Sequence, residues 1–317
     1  MRKKYINPIG NIDNIGDPFV LKHDKKYYLY ATSMPKSGFK VWKSLNLIDW
    51  RLRGVAFDSN LEPNKWGTGD FWAPEVIYFE EKFYMVYSAR DVDGHLKIAL
   101  AVSEDPLGPF KNIKAPLFES NGFSWIDGHI FIDNDQTPYL FFVKDCSENV
   151  INGKHVSQIY VQKMSKDLLN LSGSPIMILE PNQQWEGINK EWQWNEGPFV
   201  IKHNKLYYLM YSANFYASSD YSIGYAIAKD PIGPWEKNYN NPIITKDLRQ
   251  GISGPGHNSI TTSLDNTESF IVYHTHKYPD SPNGNRVLNI DRIYFENKNL
   301  KIIGPTRTFQ PFPSGNY

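Results

Sequence analysis

The feature that most constrains this chain is an internal repeat, because a repeated unit limits the fold to architectures built from copies of it. Five segments share one pattern: a turn containing Gly or Pro, an apolar strand, a polar hairpin and an aromatic strand. They read GDPFVLKHDKKYYLYATS from Gly16, WAPEVIYFEEKFYMVYSA from Trp72, IDGHIFIDNDQTPYLFFV from Ile126, NEGPFVIKHNKLYYLMYSA from Asn195 and PGHNSITTSLDNTESFIVYHT from Pro255. The pattern predicts five strand-rich units joined in series.

A second motif follows these segments and supplies further strands. IALAVSEDPLGPFK at 98–111 and IGYAIAKDPIGPWE at 223–236 are near duplicates, and weaker versions occur at 41–50 and 160–171. Each is predicted to hold a third strand, a turn and the start of a fourth strand. Four strands per unit, repeated five times, predict an all-β fold, a five-bladed β-propeller with four antiparallel strands per blade.

The expected propeller is a single domain. We expect it to cover residues 1–317, with residues 1–16 completing the last blade and closing the ring, because closure removes the open edges of a sheet.

Charge and hydropathy exclude several classes of protein. The 34 Lys and Arg residues balance the 34 Asp and Glu residues without a basic run, so neither nucleic acid nor a membrane surface is an expected partner. No apolar stretch suits a secretory signal or a membrane span, which predicts a cytoplasmic protein, or a secreted one whose leader was removed. Cys146, the single cysteine, excludes an internal disulfide and is predicted to be an inert, partly buried thiol.

Acidic residues occupy matching places in three of the five units. The first strand of each propeller blade lines the central channel, so equivalent positions converge on one mouth. Asp17, Asp127 and Glu196 lie within one residue of each other in the repeat alignment, whereas Glu75 falls out of register and is interpreted as structural. Taken alone, each of the three is typical of a turn residue whose side chain caps backbone N–H groups. Three together suit glycoside hydrolysis, which needs one protonated carboxylic acid and one ionised carboxylate.

Six motifs, in order along the chain, resemble glycoside hydrolase family 43. They are GDPFV at Asp17, FWAPEV at Phe71, SWIDGHIF around Asp127, NEGPFV at Glu196, GPGHNSI at His257 and NR at Arg286. The resemblance implies that Asp17 is the general base and Glu196 the general acid. It implies that Asp127 is a third carboxylate, which raises the pKa of the acid and orients it. An arginine is expected at the terminal sugar, and Arg286 is favoured over Arg292.

The resemblance also implies binding residues. Three aromatic side chains are expected around the terminal sugar: Phe71, Trp72 and Trp125. Trp192 and Trp194 are expected on the leaving-group side, with core packing as the alternative for every tryptophan. His257 resembles the family's axial histidine, which contacts substrate or holds a water or a metal ion, often calcium, in the channel. A polar structural role for His257 is equally open.

The activity implied is the release of a terminal pentose, β-D-xylose or α-L-arabinofuranose, from xylo- or arabino-oligosaccharides with inversion. No cofactor is required for the chemistry, although a structural calcium in the channel is possible. Two alternatives stay open: an endo-α-1,5-L-arabinanase, and a non-catalytic sugar-binding propeller.

Overall fold

The computed structural model describes residues 3–315, and the strands in this range are numbered β1 to β25 in chain order. Twenty of them form five four-stranded antiparallel sheets, which we call sheets I to V. Sheet I comprises β2–β5: Gly16–His23, Lys26–Thr32, Gly38–Ser44 and Trp50–Asp58. Sheet II comprises β6–β9: Gly69–Phe79, Lys82–Arg90, Leu96–Ser103 and Lys111–Lys114.

The remaining three sheets repeat this four-stranded arrangement. Sheet III comprises β10, β11, β14 and β15: Trp125–Ile132, Pro138–Lys144, Gln158–Met164 and Leu171–Leu179. Sheet IV comprises β17–β20: Asn195–His203, Leu206–Ala213, Ser222–Ala228 and Glu236–Lys237. Sheet V comprises β21–β24: Gly256–Thr262, Ser269–His276, Arg286–Glu296 and Asn299–Ile303.

The other elements are short. A small three-stranded sheet comprises β12, β13 and β16, at Val150–Ile151, Lys154–Val156 and Trp192–Gln193. Single 3-10 turns occur at Ser59–Leu61, Gln184–Glu186 and Leu248–Gln250. Within residues 3–315, no helix is long and apolar enough to cross a membrane. The prediction of an all-β fold is confirmed.

The N-terminal segment contributes no strand to sheet V. All four strands of that sheet lie from Gly256 onward, and residues 3–16 are not among them; Met1 and Arg2 lie outside the described residues. Instead, β1 (Lys4–Tyr5) pairs with β25 (Gln310–Pro311) as a separate two-stranded sheet. The segment is tied to sheet V by backbone hydrogen bonds, including the one from Ile15 N to Arg286 O.

The first strands of the five sheets contact one another in a cycle. Strand β2 contacts β6 and β21, β10 contacts β6 and β17, and β17 contacts β21. Apolar side chains fill the space between neighbouring sheets; for example, Phe39 of sheet I packs on Phe71 and Tyr87 of sheet II. The aromatic residues that the repeat places on the second strands are therefore largely core residues.

Every first strand is interrupted at the same place by a β-bulge. The register shifts lie between Gly16 and Phe19 and at the equivalent points of the other four sheets. One residue of each bulge has a positive φ angle: Asp17 (55°), Ala73 (45°), Asp127 (55°), Gly197 (59°) and His257 (45°). For residues other than glycine this conformation costs about 1–3 kcal/mol, so the surroundings must hold it in place.

A hydrogen bond from each bulge to the preceding sheet holds the positive-φ residue in place. We call these bonds the bulge clasps. In four of them the N–H of the positive-φ residue donates to a side chain on the second strand of the preceding sheet. The pairs are Ala73 with Thr32 Oγ1 (2.8 Å), Asp127 with Ser88 Oγ (3.0 Å), His257 with Ser212 Oγ (2.8 Å) and Asp17 with His274 Nδ1 (3.2 Å). The last pair joins sheet V to sheet I.

The clasp between sheets III and IV is different. Val143 occupies the equivalent second-strand position, opposite Ile126, and its side chain cannot accept a hydrogen bond. The N–H of Gly197 donates instead to Asp127 Oδ2, at 2.9 Å. The carboxylate of Asp127 therefore accepts the clasp hydrogen bond that a hydroxyl or an imidazole accepts in the other four clasps.

We predict that Ser88→Ala destabilises the protein, because it leaves the buried N–H of Asp127 without its acceptor. An unsatisfied buried donor costs about 1–3 kcal/mol of the free energy of unfolding. Urea denaturation measures this loss against Ser281→Ala, at an exposed serine, which should stay within about 0.5 kcal/mol of the parent. Equal stability of the two variants would contradict the role of the clasps.

Candidate active site

One cavity of about 520 Å³ brings together most of the residues predicted from sequence. Eight of them line it: Asp17, Trp72, Asp127, Trp192, Trp194, Glu196, His257 and Arg286. Asp17, Asp127 and His257 are themselves the positive-φ residues of their bulges, whereas Glu196 precedes its bulge glycine by one residue. The bulges thus bring these side chains to one place.

Asp17 is held by two donors from different sheets. Arg286 Nη1 donates to Oδ1 at 3.0 Å, and Thr32 Oγ1 donates to Oδ2 at 2.6 Å. Burial alone would raise the pKa of Asp17, but the nearby charges, that of Arg286 above all, and the bond from Thr32 hold it well below its usual range. Asp17 is therefore ionised at neutral pH.

Glu196 has the opposite electrostatic environment. Burial and then the charge of Asp127 raise the pKa of Glu196 well above its usual value, and these effects outweigh the lowering effect of a hydrogen bond from Tyr221. The Tyr221 hydroxyl donates to Oε1 at 2.8 Å. Glu196 is therefore the carboxyl group of the cavity that keeps its proton as the pH rises.

Asp127 lies between these two cases. Burial, together with the charge of Asp17, raises the pKa of Asp127 to about 6, although His257 and the bond from the Gly197 N–H lower it. Above pH 6 Asp127 carries a negative charge that favours the protonated form of Glu196. Its clasp to Gly197 also fixes the backbone directly after Glu196.

His257 faces the carboxylates. Its Nδ1 lies 3.4 Å from Asp17 Oδ1 and 4.0 Å from Asp127 Oδ2. Calcium prefers six to eight oxygen ligands, and residues 3–315 hold no group of three or more His, Cys, Asp or Glu placed to bind a metal. No step below depends on a metal.

The two candidate arginines lie in different places. Arg286 lines the cavity, bonds Asp17 and has its guanidinium 5.0 Å from the ring centre of Tyr216. Arg292 pairs with Glu268 at 3.1 Å and donates to backbone carbonyls of the C-terminal segment. Of the two candidates, Arg286 is thus the one that lines the cavity.

Two of the expected sugar contacts do not line the cavity. Phe71 is fully buried in the core between sheets I and II, because neighbouring strand residues point to opposite faces and Trp72 takes the cavity side. Trp125 is half-buried and packs on Phe118, Phe142 and Tyr160 behind the cavity. Its neighbour in the chain, Ile126, lines the cavity instead.

The cavity has an aromatic rim that extends the predicted one. Trp192 stacks on Trp194, Trp194 packs on Phe215, and Phe215 packs on Tyr216, with ring centres 4.8–6.3 Å apart. Trp192, Phe215 and Tyr216 are each 40–44% exposed. One face of Trp192 is covered by His155, with ring centres 3.8 Å apart. The exposed parts of these rings can contact the C–H groups of sugars.

Sequence reasoning missed several cavity residues: Thr32, Asp145, Phe215, Tyr216 and Tyr221. A signal existed for Thr32, because Ser88 and Ser212 occupy its position in two other copies of the repeat. The others lie outside the repeated segments. Cys146 also lines the cavity, and burial raises the pKa of its thiol, which agrees with the predicted lack of reactivity.

Carboxyl groups with opposite pKa shifts in one cavity are typical of glycoside hydrolases. A comparison with family models agrees: the model of glycosyl hydrolases family 43 matches residues 5–300. The chain therefore belongs to glycoside hydrolase family 43.

Two curated relatives match most of this chain at 26–27% identity. The chain is 27% identical over 296 residues to a beta-D-galactofuranosidase, xynD, of Aspergillus niger, which covers 88% of this chain and 79% of that protein. It is 26% identical to an extracellular exo-alpha-(1->5)-L-arabinofuranosidase of Streptomyces avermitilis, which covers 92% of this chain and 61% of that protein. The chain thus spans less than two thirds of the second relative.

Two solved structures extend the comparison. A thermostable family-43 glycoside hydrolase superposes with a TM-score of 0.97 at 66% identity, over 98% of this chain and 100% of that one. An endo-1,4-beta-xylanase from Bacteroides thetaiotaomicron superposes with a TM-score of 0.80 at 30% identity, over 99% of both chains. The fold is of the propeller type.

We predict that Asp127→Asn moves the upper limb of the pH–rate profile to lower pH. Activity that needs protonated Glu196 falls as the pH rises through its pKa, and removing the charge of Asp127 lowers that pKa. Initial rates from pH 4 to 10 on an aryl glycoside with a poor leaving group, which needs the proton of Glu196, measure the limb. Asp24→Asn, at an exposed carboxylate, is the control and should leave the limb in place. An unmoved limb in Asp127→Asn would show that Asp127 does not set the pKa.

Proposed function

We propose that the protein is an inverting glycoside hydrolase that releases terminal β-D-xylose or α-L-arabinofuranose from xylo- or arabino-oligosaccharides. The observation that carries this proposal is the pair of opposite pKa shifts in one cavity: lowered at Asp17 and raised at Glu196. Inverting hydrolysis needs both states at the same pH.

In the proposed mechanism, Asp17 is the general base and Glu196 the general acid. Glu196 donates its proton to the glycosidic oxygen as the bond to the leaving group breaks. Asp17 accepts a proton from a water molecule that attacks the anomeric carbon on the opposite face of the sugar. Asp127 keeps Glu196 protonated, and Arg286 keeps Asp17 ionised and contacts the sugar.

The binding surface supports an exo-acting enzyme. A cavity of about 520 Å³ lies within the range of roughly 300–1,000 Å³ that suits small ligands, which favours one end of a chain over a long polymer. Trp72 would bound the terminal sugar, and the rim formed by Trp192, Trp194, Phe215 and Tyr216 would receive the sugars of the leaving group. An endo-α-1,5-L-arabinanase is the alternative, since relatives in the family include one from Thermotoga petrophila.

We infer further that sheets I to V are the blades of a closed five-bladed propeller forming one domain over residues 1–317. The cyclic contacts of the first strands support this inference, and so does the clasp from Asp17 to His274 between the last sheet and the first. Met1, Arg2, Asn316 and Tyr317 lie outside the described residues.

The substrate assignment is tested with purified protein on aryl β-D-xyloside, aryl α-L-arabinofuranoside and aryl β-D-galactofuranoside. We expect hydrolysis of one or both pentosides, and single pentoses as the first products from linear oligosaccharides. Preference for the galactofuranoside would overturn the pentose assignment. Early release of internal fragments from arabinan would favour the endo-acting alternative.

We predict that Glu196→Ala slows hydrolysis of substrates with poor leaving groups by roughly 10²–10⁴-fold. Activated aryl glycosides should lose much less, because a good leaving group departs with little protonation. Steady-state kcat/KM across a series of aryl leaving groups measures the difference, with Glu236→Ala, at an exposed position of the same sheet, as the control. Equal losses on all leaving groups would exclude Glu196 as the acid.

A further inference from the structure

The hydroxyl of Thr32 takes part in two hydrogen bonds of different kinds. It accepts the N–H of Ala73 at 2.8 Å, which is the clasp between sheets I and II. It also donates to Asp17 Oδ2 at 2.6 Å. A hydroxyl has one proton to donate, so this proton is committed to the carboxylate. Thr32 is buried at the end of β3 and lines the cavity.

Within residues 3–315 this dual role distinguishes Thr32 from the serines at the equivalent positions. Ser88 and Ser212 accept the clasp N–H of the next sheet, and neither has a hydrogen bond to a cavity carboxylate. All three side chains lie opposite the residue that precedes a bulge residue. The bulge residue beside Thr32 is the carboxylate Asp17, whereas Ala73 and Gly197 take this place beside Ser88 and Ser212.

The bond from Thr32 completes the fixation of the Asp17 carboxylate. Oδ1 is bonded to Arg286 on sheet V, and Oδ2 is bonded to Thr32 on sheet I. One donor alone would leave the carboxylate free to rotate about that bond, whereas two donors to its two oxygens fix its plane. The charge-assisted bond to an ionised acceptor is also stronger than the neutral clasps.

The clasp between Thr32 and Ala73 links the orientation of the Asp17 carboxylate to the wall of the cavity. Ala73, whose N–H binds Thr32, follows Trp72 directly in the chain, and Trp72 lines the cavity. One hydroxyl therefore connects the Asp17 carboxylate to the backbone that carries the tryptophan. Displacement of reacting groups by about 1 Å can cost about 100-fold in rate.

We propose that Thr32 is a positioning residue for the reaction: it sets the orientation of the Asp17 carboxylate relative to the sugar bounded by Trp72. The proposal rests on the role of Asp17 as the general base. Thr32 touches no reacting atom and acts through Asp17. Serine can make both bonds, and valine, with nearly the same shape, can make neither.

The test compares four proteins on one activated aryl pentoside: the parent, Thr32→Val, Thr32→Ser and Ser44→Ala. We expect Thr32→Val to lose about 10- to 100-fold in kcat, with KM changed less than threefold. Thr32→Ser should keep kcat within about threefold of the parent. Ser44→Ala removes a buried hydroxyl of sheet I that accepts the N–H of Asn46 at 3.1 Å and does not line the cavity, so it should lose stability but keep most of its kcat. Thr32→Ala replaces Thr32→Val in the comparison if the valine variant does not fold.

Each outcome decides the proposal. An unchanged kcat in Thr32→Val or Thr32→Ala overturns it, as does a rise in KM at constant kcat, which would indicate a role in binding alone. Equal loss of kcat in Ser44→Ala would show that the loss follows from reduced stability alone, and would also overturn it. Asp17→Asn identifies a failure of the proposed function instead: if this variant keeps the activity of the parent, Asp17 is not the base.

Discussion

The site depends on a backbone conformation that its own residues disfavour. Asp17, Asp127 and His257 can present their side chains to one cavity because each has a positive φ angle within a β-bulge. Non-glycine residues hold such a conformation only where the surroundings impose it. Here the clasps from bulge to preceding sheet impose it, so the packing of the sheets determines the positions of the carboxylates.

The clasp between sheets III and IV links the fold to the chemistry of the site most closely. Because Val143 cannot accept a hydrogen bond, the N–H of Gly197 donates to the carboxylate of Asp127. The side chain of Asp127 therefore stabilises the bulge beside Glu196 and also raises the pKa of Glu196. Asp17, with Arg286 and Thr32 as donors, keeps its negative charge under the same burial. The different partners, rather than different degrees of burial, separate the protonation states of the carboxyl groups.

The repeat predicted the strand content and the convergence of the three acids, because both follow from equivalent positions in copied units. Phe71 and Trp125 lie off the cavity because a position next to a site residue in the sequence does not reveal which face of a bulged strand a side chain takes. Tyr221 and Tyr216 were missed because the sequence of the connection that holds them is not repeated in the other units. The pairing of the N-terminal segment with β25 was missed too, because both strands have only two residues and lie outside the repeats.

The stereochemistry of hydrolysis tests the proposed mechanism most directly. Proton NMR of the first sugar released from a pentoside, recorded before mutarotation, distinguishes single from double displacement. With Asp17 as base and Glu196 as acid, the product first appears as the anomer opposite to that of the substrate. If it first appears with retained configuration, a covalent intermediate is formed, Asp17 would have to act as the nucleophile, and the mechanism proposed for this cavity is wrong.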